Sequence, residues 1–316
     1  MKTLKLFMAL TVSVIALSCQ SQTRDQQTTT VQELKPITNY GFTIDSVLKH
    51  VKTLSSAAFE GRRTGTPGAL KAKQYIIETF DALDVKPLLE DFEQPFTFTT
   101  GSKTYNAVNV LGLIEGTQYH DKYVVISAHY DHEGIKNGTI YNGADDNASG
   151  VGALFAFAEY FKTNPPQHNV ILAAFDGEEL GLKGAYYYVD NPIIELNNIV
   201  LNLNFDMISR SDSHELFAVG TRYSEVLKET VESFENLGKV NLVIGHEGLD
   251  STDNWTNSSD QAAFHNKGIP FIYFGVPDHK DYHEPTDVYE NIDQQFLLDA
   301  VQTLLSVFTQ LDTKQL

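Results

Sequence analysis

Cysteine is almost absent from this 316-residue sequence, which contains one, Cys19, near its N-terminus. A disulfide needs two cysteines, so none can form within these residues, and the rest of the chain has no cysteine to act as a nucleophile. The Gly-x-Ser-x-Gly motif of serine hydrolases and the His-Glu-x-x-His motif of zinc metalloproteases are also missing. The sequence therefore argues against a cysteine or serine nucleophile and against a zinc site built on a His-Glu-x-x-His helix.

Basic residues are scarce. The chain has 23 Lys and Arg against 41 Asp and Glu, which gives a formal net charge of -18. A protein of this charge repels the phosphate backbone, so no nucleic-acid partner is expected. An acidic surface attracts the cationic α-amino end of a peptide, although the same charge serves solubility equally well.

Long apolar runs are missing except at residues 6–17, which follow the basic start Met1-Lys2-Thr3-Leu4-Lys5. The run is too short to span a bilayer and is typical of a secretion signal, so residues 1–18 are predicted to be a signal peptide. Its junction with Cys19 resembles a bacterial lipoprotein signal. That resemblance implies lipidation of Cys19 and a membrane-anchored protein of the bacterial cell envelope; a conventional signal with an incidental cysteine is the alternative.

Residues 19–42 are predicted to form a flexible tether, because they are rich in Gln, Thr and Ser and show no apolar periodicity. Residues 43–316 are enough for one large catalytic domain. Within it, apolar runs at 124–128, 170–175 and 199–205 are typical of buried strands. Amphipathic helical stretches alternate with them, which predicts an α/β three-layer sandwich with a mixed, mostly parallel sheet flanked by helices.

Acidic residues and histidines follow these runs directly. His129 ends the first, Glu178 and Glu179 follow the second, and Asp206 follows the third. Because ligands bind beyond the carboxyl ends of strands in such sheets, these side chains are predicted to meet at one edge. Imidazole and carboxylate are ligands of zinc. Asp131 is the expected carboxylate partner of the His129 ring, since metal-bound imidazoles usually donate their other N–H.

Five blocks of the sequence resemble, in order, the signature blocks of the M28 zinc metallopeptidases, and residues 59–68 resemble the N-terminal region of that family. The blocks are His129-Tyr130-Asp131-His132, the segment 143–150, Gly177-Glu178-Glu179-Leu180-Gly181, Asn204-Phe205-Asp206-Met207 and Tyr282-His283. The resemblance implies the zinc aminopeptidase fold, which is also described as phosphorylase/hydrolase-like.

The resemblance also implies residue roles. Two zinc ions per chain would share Asp145, with His129 and Asp206 completing one site and Glu179 and His283 the other. The family pattern implies a cis peptide bond between Asp145 and Asp146. Glu178 is implied as the general base that takes a proton from the attacking water and returns it to the departing amine.

Each of these residues has an ordinary structural explanation as well. Glu178 and Glu179 suit the first turn of a helix, where acidic side chains complement the dipole. Asp206 suits a turn, and Ser149 suits the N-cap of the helix that follows it. The combination of blocks favours the metal site.

The predicted activity is release of N-terminal amino acids from peptides with a free N-terminus by a di-zinc aminopeptidase. A one-zinc glutaminyl cyclase, an acyltransferase that shares the fold and the Phe-Asp-Gly-Glu-Glu turn, is an alternative. A carboxypeptidase or deacylase is a third enzymatic possibility. From a different class, the chain could be a non-catalytic binding ectodomain of the same fold; retention of every ligand and the base argues against it.

Overall fold

The computed structural model describes residues 37–249 and 253–316. The predicted signal peptide, Cys19 and most of the predicted tether lie outside the described residues. None of the helices in the described part of the chain is long and apolar enough to cross a membrane.

In the described part of the chain two helices are followed by six strands, and from α3 onward helices and strands mostly alternate. The strands are β1 (Lys86–Pro87), β2 (Glu93–Thr100), β3 (Lys103–Ile114), β4 (Tyr119–His129), β5 (Gly134–Lys136), β6 (Thr139–Tyr141), β7 (His168–Phe175), β8 (Ile199–Phe205), β9 (Glu215–Val219), β10 (Asn241–Ile244) and β11 (Phe271–Gly275). The helices are α1 (Ile44–Leu54), α2 (Pro67–Ala82), α3 (Gly150–Phe161), α4 (Lys183–Asp190), α5 (Glu225–Glu232), α6 (Gln261–His265) and α7 (Gln294–Asp312).

One large sheet forms the centre of the molecule. Its order among the described strands is β1-β3-β7-β4-β8-β11-β9-β10, with β2 paired to β3. The neighbours β7, β4, β8 and β11 run parallel, whereas β3 joins β7, and β9 joins β11, in the antiparallel sense. The predicted mixed sheet is confirmed, and its parallel part is the centre.

Helices cover both faces of this sheet. Along β4, Val124 and Ile126 belong to the larger apolar core with α1, α2, α3 and α7, while Val125 belongs to a second core with α4 and α6. Successive strand residues point to opposite faces, so a strand that is apolar at every position must be covered on both sides. The three-layer arrangement of the prediction is confirmed.

Helix α1 shows how the local sequence specifies an element. It begins with a capping box, in which the Thr43 hydroxyl accepts the Ser46 N–H at 3.1 Å and the Ser46 hydroxyl accepts the Thr43 N–H at 3.2 Å. Its buried face carries His50, whose ring lies 4.6 Å from the ring of Phe155 and whose Nδ1 is 2.7 Å from the Tyr75 hydroxyl. The helix is therefore attached to α2 and α3 by aromatic packing.

Packing against the core begins earlier than the predicted domain boundary at residue 43. Ile37, Tyr40 and Phe42 pack against the larger core, and the Tyr40 hydroxyl lies 3.2 Å from that of Ser306. The tether assigned to residues 19–42 is thus too long at its C-terminal end. Three apolar side chains among polar ones show no periodicity, which is why sequence pattern alone missed their packing.

Candidate metal centre

The predicted ligands lie at the carboxyl ends of neighbouring strands. His129 is the last residue of β4, Asp206 follows β8, and Glu179 follows β7. His283 lies in the segment after β11. Because β7, β4, β8 and β11 are parallel neighbours, their ends meet at one edge of the sheet, where the four side chains lie close together; that of His283 is partly exposed, at 37%.

Three donor atoms form the first metal position. His129 Nε2 lies 3.2 Å from Asp206 Oδ1 and 3.3 Å from Asp146 Oδ1. Two ligands about 2.1 Å from a tetrahedral zinc are separated by roughly 3.4 Å, so these spacings suit one ion. The three residues are buried.

The second metal position shares Asp146. His283 Nε2 lies 3.1 Å from Asp146 Oδ2 and 3.3 Å from Glu179 Oε2. Asp146 thus directs one carboxylate oxygen to each position, which is the arrangement expected of a carboxylate that bridges two metals. The structure brings the predicted His129, Asp206, Glu179 and His283 together around it.

The bridging role predicted for Asp145 is wrong by one residue. Asp145 Oδ1 accepts the N–H and the hydroxyl of Ser209, both at 2.7 Å, and its Oδ2 lies 2.9 Å from His279 Nε2. Asp145 belongs to none of the groups of potential ligands among the described residues. The cis peptide bond joins Asp146 to Asn147, so the bond predicted between Asp145 and Asp146 is also misplaced.

Backbone hydrogen bonds decide which aspartate faces the metals. The carboxylate of Asp287 accepts the N–H of Asp145 at 2.9 Å and the N–H of Asp146 at 3.0 Å. These bonds orient the loop, and the two adjacent side chains then leave it in different directions. Asp287 is distant in sequence from the pair, so the sequence of the pair alone does not distinguish its members.

Asp131 contacts both His129 and the base candidate. Its main-chain oxygen lies 3.1 Å from His129 Nδ1, closer than its carboxylate Oδ1 at 3.7 Å. The carboxylate accepts the Glu178 N–H at 3.0 Å and the Thr64 hydroxyl at 3.1 Å. The residue expected to orient the imidazole therefore does so chiefly through its backbone, while its side chain positions the turn that carries Glu178.

Glu178 and Glu179 lie in a short 3-10 turn, Glu178–Leu180, rather than at the start of an α-helix. Burial raises the pKa of Glu178 well above its ordinary value; His129 opposes this, and Asp206 adds to it. Burial and Asp146 also disfavour ionisation of Glu179, yet His132 and His283 outweigh them and hold its pKa at about 2. The two glutamates thus differ in proton affinity, as a base and a ligand should.

The donor set fits zinc. Asp146 Oδ2, Glu179 Oε1 and both ring nitrogens of His132 are buried and have no hydrogen-bond partner in the described part of the chain. Buried polar atoms are seldom left unpaired, and a bound cation would satisfy the carboxylate oxygens. Carboxylate and imidazole together favour zinc over calcium or magnesium.

A cavity of about 360 Å³ opens onto the first metal position and the Glu178 side chain. Its outer wall carries Trp255, Tyr273 and Tyr282, together with Asp253, which accepts the Trp255 indole N–H at 2.6 Å. None of the described residues that line it is Lys or Arg. The cavity is therefore an acidic and aromatic pocket.

Sequence reasoning assigned no role to Arg62, which lies beside the site. Its buried guanidinium donates to the carbonyl oxygens of Tyr130 at 2.8 Å, Asn142 at 2.6 Å and Gly143 at 2.9 Å. It thereby joins the loop after β4 to the loop that carries Asp146. Burial lowers the pKa of Arg62 to about 10, and the charge of Asp146 counters this, so the guanidinium stays protonated at neutral pH. The resemblance of residues 59–68 to the family covered Arg62 but assigned no role to it.

Comparison with known sequences gives one family match and several relatives. The family model described as Peptidase family M28 matches residues 109–308. Aminopeptidase YwaD of Bacillus subtilis (strain 168) is 30% identical over 205 residues, which are 61% of this chain and 42% of that protein. The chain spans half or less of the length of the first curated relatives it matches, with shares of 42% and 50%.

Solved structures share the fold at low sequence identity. A zinc aminopeptidase from Bacillus subtilis superimposes with a TM-score of 0.65 at 18% identity, over 84% of this chain and 95% of that one. The glutaminyl cyclase of Porphyromonas gingivalis gives a TM-score of 0.67 at 17% identity, over 85% of this chain and 99% of that one. The same architecture thus carries both chemistries.

Proposed function

The chain belongs to peptidase family M28, as its sequence blocks suggested, and from this membership we propose that it is an aminopeptidase that binds two zinc ions around Asp146. The observation that supports two metal ions is that one carboxylate oxygen of Asp146 lies beside His129 and the other beside His283. A one-metal enzyme has no need of a carboxylate placed between two sets of ligands.

The residues of the chain divide the work of hydrolysis. Zinc at such a site supplies a Lewis acid for the peptide carbonyl and acidifies water. Glu178 faces the cavity and accepts the proton of the attacking water, then returns it to the departing amine. Its raised pKa strengthens Glu178 as a proton acceptor, because a carboxylate of higher proton affinity takes a proton from water more readily.

The charge of the cavity indicates which end of a peptide substrate binds there. Asp253 and Asp278 line its wall, and none of the described lining residues is a Lys or Arg that would bind a peptide carboxylate. This charge distribution favours the ammonium of a free N-terminus and disfavours the C-terminus of a peptide.

Peptides blocked at one end test this proposal. The zinc-loaded protein is expected to release the first residue of a free peptide, whereas N-acetylation of the same peptide should abolish cleavage and C-terminal amidation should leave it unchanged. Mass spectrometry of the products identifies the bond. Internal cleavage of blocked peptides, or loss of C-terminal residues, would contradict an aminopeptidase.

A glutaminyl cyclase is the second candidate, because proteins of that activity share the fold. It predicts that peptides beginning with Gln are converted to pyroglutamyl peptides, with loss of ammonia and no cleavage of the chain. One firmly bound zinc per chain together with this product would establish the cyclase and overturn the peptidase.

A further inference from the structure

His132 lies beside the second metal position and is not explained by the ligands described so far. The residue is fully buried, at 0% exposure. Its Nδ1 is 2.8 Å from Glu179 Oε1 and 3.6 Å from Asp146 Oδ2. The imidazole therefore contacts the two carboxylates that His283 contacts from the other side.

None of these contacts forms a well-directed hydrogen bond. Both ring nitrogens of His132 lack a hydrogen-bond partner among the described residues, and the same is true of Glu179 Oε1 and Asp146 Oδ2. A buried polar atom without a partner costs on the order of 1–3 kcal/mol, so three such side chains in contact need an explanation. Two carboxylate oxygens and an imidazole nitrogen, all within 4.8 Å of one another, form a donor set that a divalent cation would satisfy.

The surrounding backbone holds the ring in this place. The His132 N–H donates to the carbonyl of Arg62 at 3.4 Å. A Cβ at Gly143 would lie 2.6 Å from Cγ and Cδ2 of the His132 ring, so the close packing requires a glycine at that position. The ring is thus fixed against the Asp146 loop, with its centroid 6.0 Å from that of the His283 ring.

We propose that His132 Nδ1 is a fourth protein ligand of the second metal position, together with Asp146, Glu179 and His283. The inference rests on the proposed two-zinc site. Four protein ligands are typical of zinc sites that hold the ion firmly, and three are typical of sites that leave a position for water. The second position therefore fills first, and the position of His129 and Asp206 fills afterwards with lower affinity.

Counting the imidazoles around the first metal bound tests this directly. Protein carrying one equivalent of zinc is expected to show two imidazoles per zinc in X-ray absorption spectra, and His132→Gln should show one. With one equivalent of ¹¹³Cd and ¹⁵N-labelled histidine, scalar coupling should appear at Nδ1 of His132. Chelator competition should show at least ~10-fold weaker binding of the first zinc in the variant.

His279→Gln is the matched control, because His279 contacts Asp145 and none of the proposed ligands. It should leave the imidazole count and the first affinity unchanged. One imidazole per zinc in the wild type, or the absence of ¹¹³Cd coupling at His132, would overturn the proposal even if His132→Gln failed to fold. These readouts do not use a substrate, so loss of the aminopeptidase assignment would leave them interpretable.

Discussion

At the residue scale, neighbouring side chains of identical chemistry have different surroundings. Asp145 is enclosed by Ser209 and His279, whereas Asp146 lies between His129 and His283. The two glutamates after β7 differ in the same way, since one faces the cavity and the other faces two imidazoles. Contacts made by residues distant in sequence produce both differences.

The aspartate pair gives the first prediction. Asp146→Asn removes a negative charge shared by both metal positions, so bound zinc should fall well below two ions per chain after dialysis. Asp145→Asn retains an oxygen that can accept the Ser209 N–H, and its zinc content should stay near that of the wild type. Elemental analysis of both variants measures this; equal losses would contradict the assignment of the bridge to Asp146.

The second prediction concerns Glu178 and Glu179. Glu178→Gln removes the proton acceptor and leaves the metal ligands intact, so turnover should fall by at least ~10²-fold with unchanged zinc content and thermal stability. Glu179→Gln replaces an anionic ligand with a weak neutral one, so both activity and zinc-dependent stability should fall.

Excess zinc separates the two roles. It should partly restore Glu179→Gln, because mass action refills a weakened site, and it should not restore Glu178→Gln, which lacks a base. The opposite pattern of rescue would exchange the two roles, and full activity in both variants would mean that neither glutamate takes part.

At the element scale, strand ends supply the ligands and helices hold the strands in place. The ends of β4, β7 and β8 bring His129, Glu178, Glu179 and Asp206 to one edge. Helix α1 packs against α3, which follows the Asp146 loop directly. Ser149 stands at the N-cap position of α3 as expected, yet its hydroxyl donates to the Asp145 carbonyl at 2.6 Å rather than capping the helix.

The packing of α1 predicts a dependence of stability on pH. Burial, together with the charge of Lys49, lowers the pKa of His50 from 6.5 to about 4. The unfolded chain then binds this proton more readily than the folded one, so the contribution is complete above pH 6.5 and is lost as the pH falls toward 4. Between pH 7 and pH 5 the loss is about 2 kcal/mol.

His50→Gln retains a hydrogen-bonding group for Tyr75 without the titration. Urea unfolding at pH 7 and pH 5 should therefore show a smaller loss in the variant than in the wild type, and the difference between the two losses isolates His50. Identical pH dependence would mean that the His50 proton is bound equally in the folded and unfolded states.

At the scale of the whole molecule, the carboxylates of the candidate metal centre lie in a strongly acidic chain, with a formal net charge of -18. The buried guanidinium of Arg62 lies beside the Asp146 loop and adds a positive charge there. The negative charge of the protein is consistent with attraction of the positively charged N-terminus of a peptide, and this attraction weakens as salt is added.

We propose that the protein is attached to the bacterial cell envelope by a lipid on Cys19, which lies outside the described residues. Cys19→Ser should then lose metabolic fatty-acid label and leave the membrane fraction, or fail to mature. Fractionation of cells that express both forms measures this. Equal labelling of the two forms would contradict lipidation at Cys19.

The sequence by itself determined the sheet, the layers and the edge at which the ligands meet. Apolar runs that end in polar residues predict these features, because the burial of a strand and the edge at which it ends can be read from a short stretch of sequence. His129, Glu179 and Asp206, which follow such runs, come to one edge for that reason. Resemblance to the family pointed to His283 and to the aspartate pair.

Only the tertiary structure decided which aspartate lies between His129 and His283, where the cis bond lies and that His132 joins the cluster. These outcomes depend on N–H groups that donate to the Asp287 carboxylate and on the Arg62 guanidinium, which donates to the loop; both residues are distant in sequence from it. A side chain's direction within a loop follows from such long-range contacts and not from local pattern. Adjacent residues of one type, such as Asp145 and Asp146, can therefore be distinguished only when the fold is known.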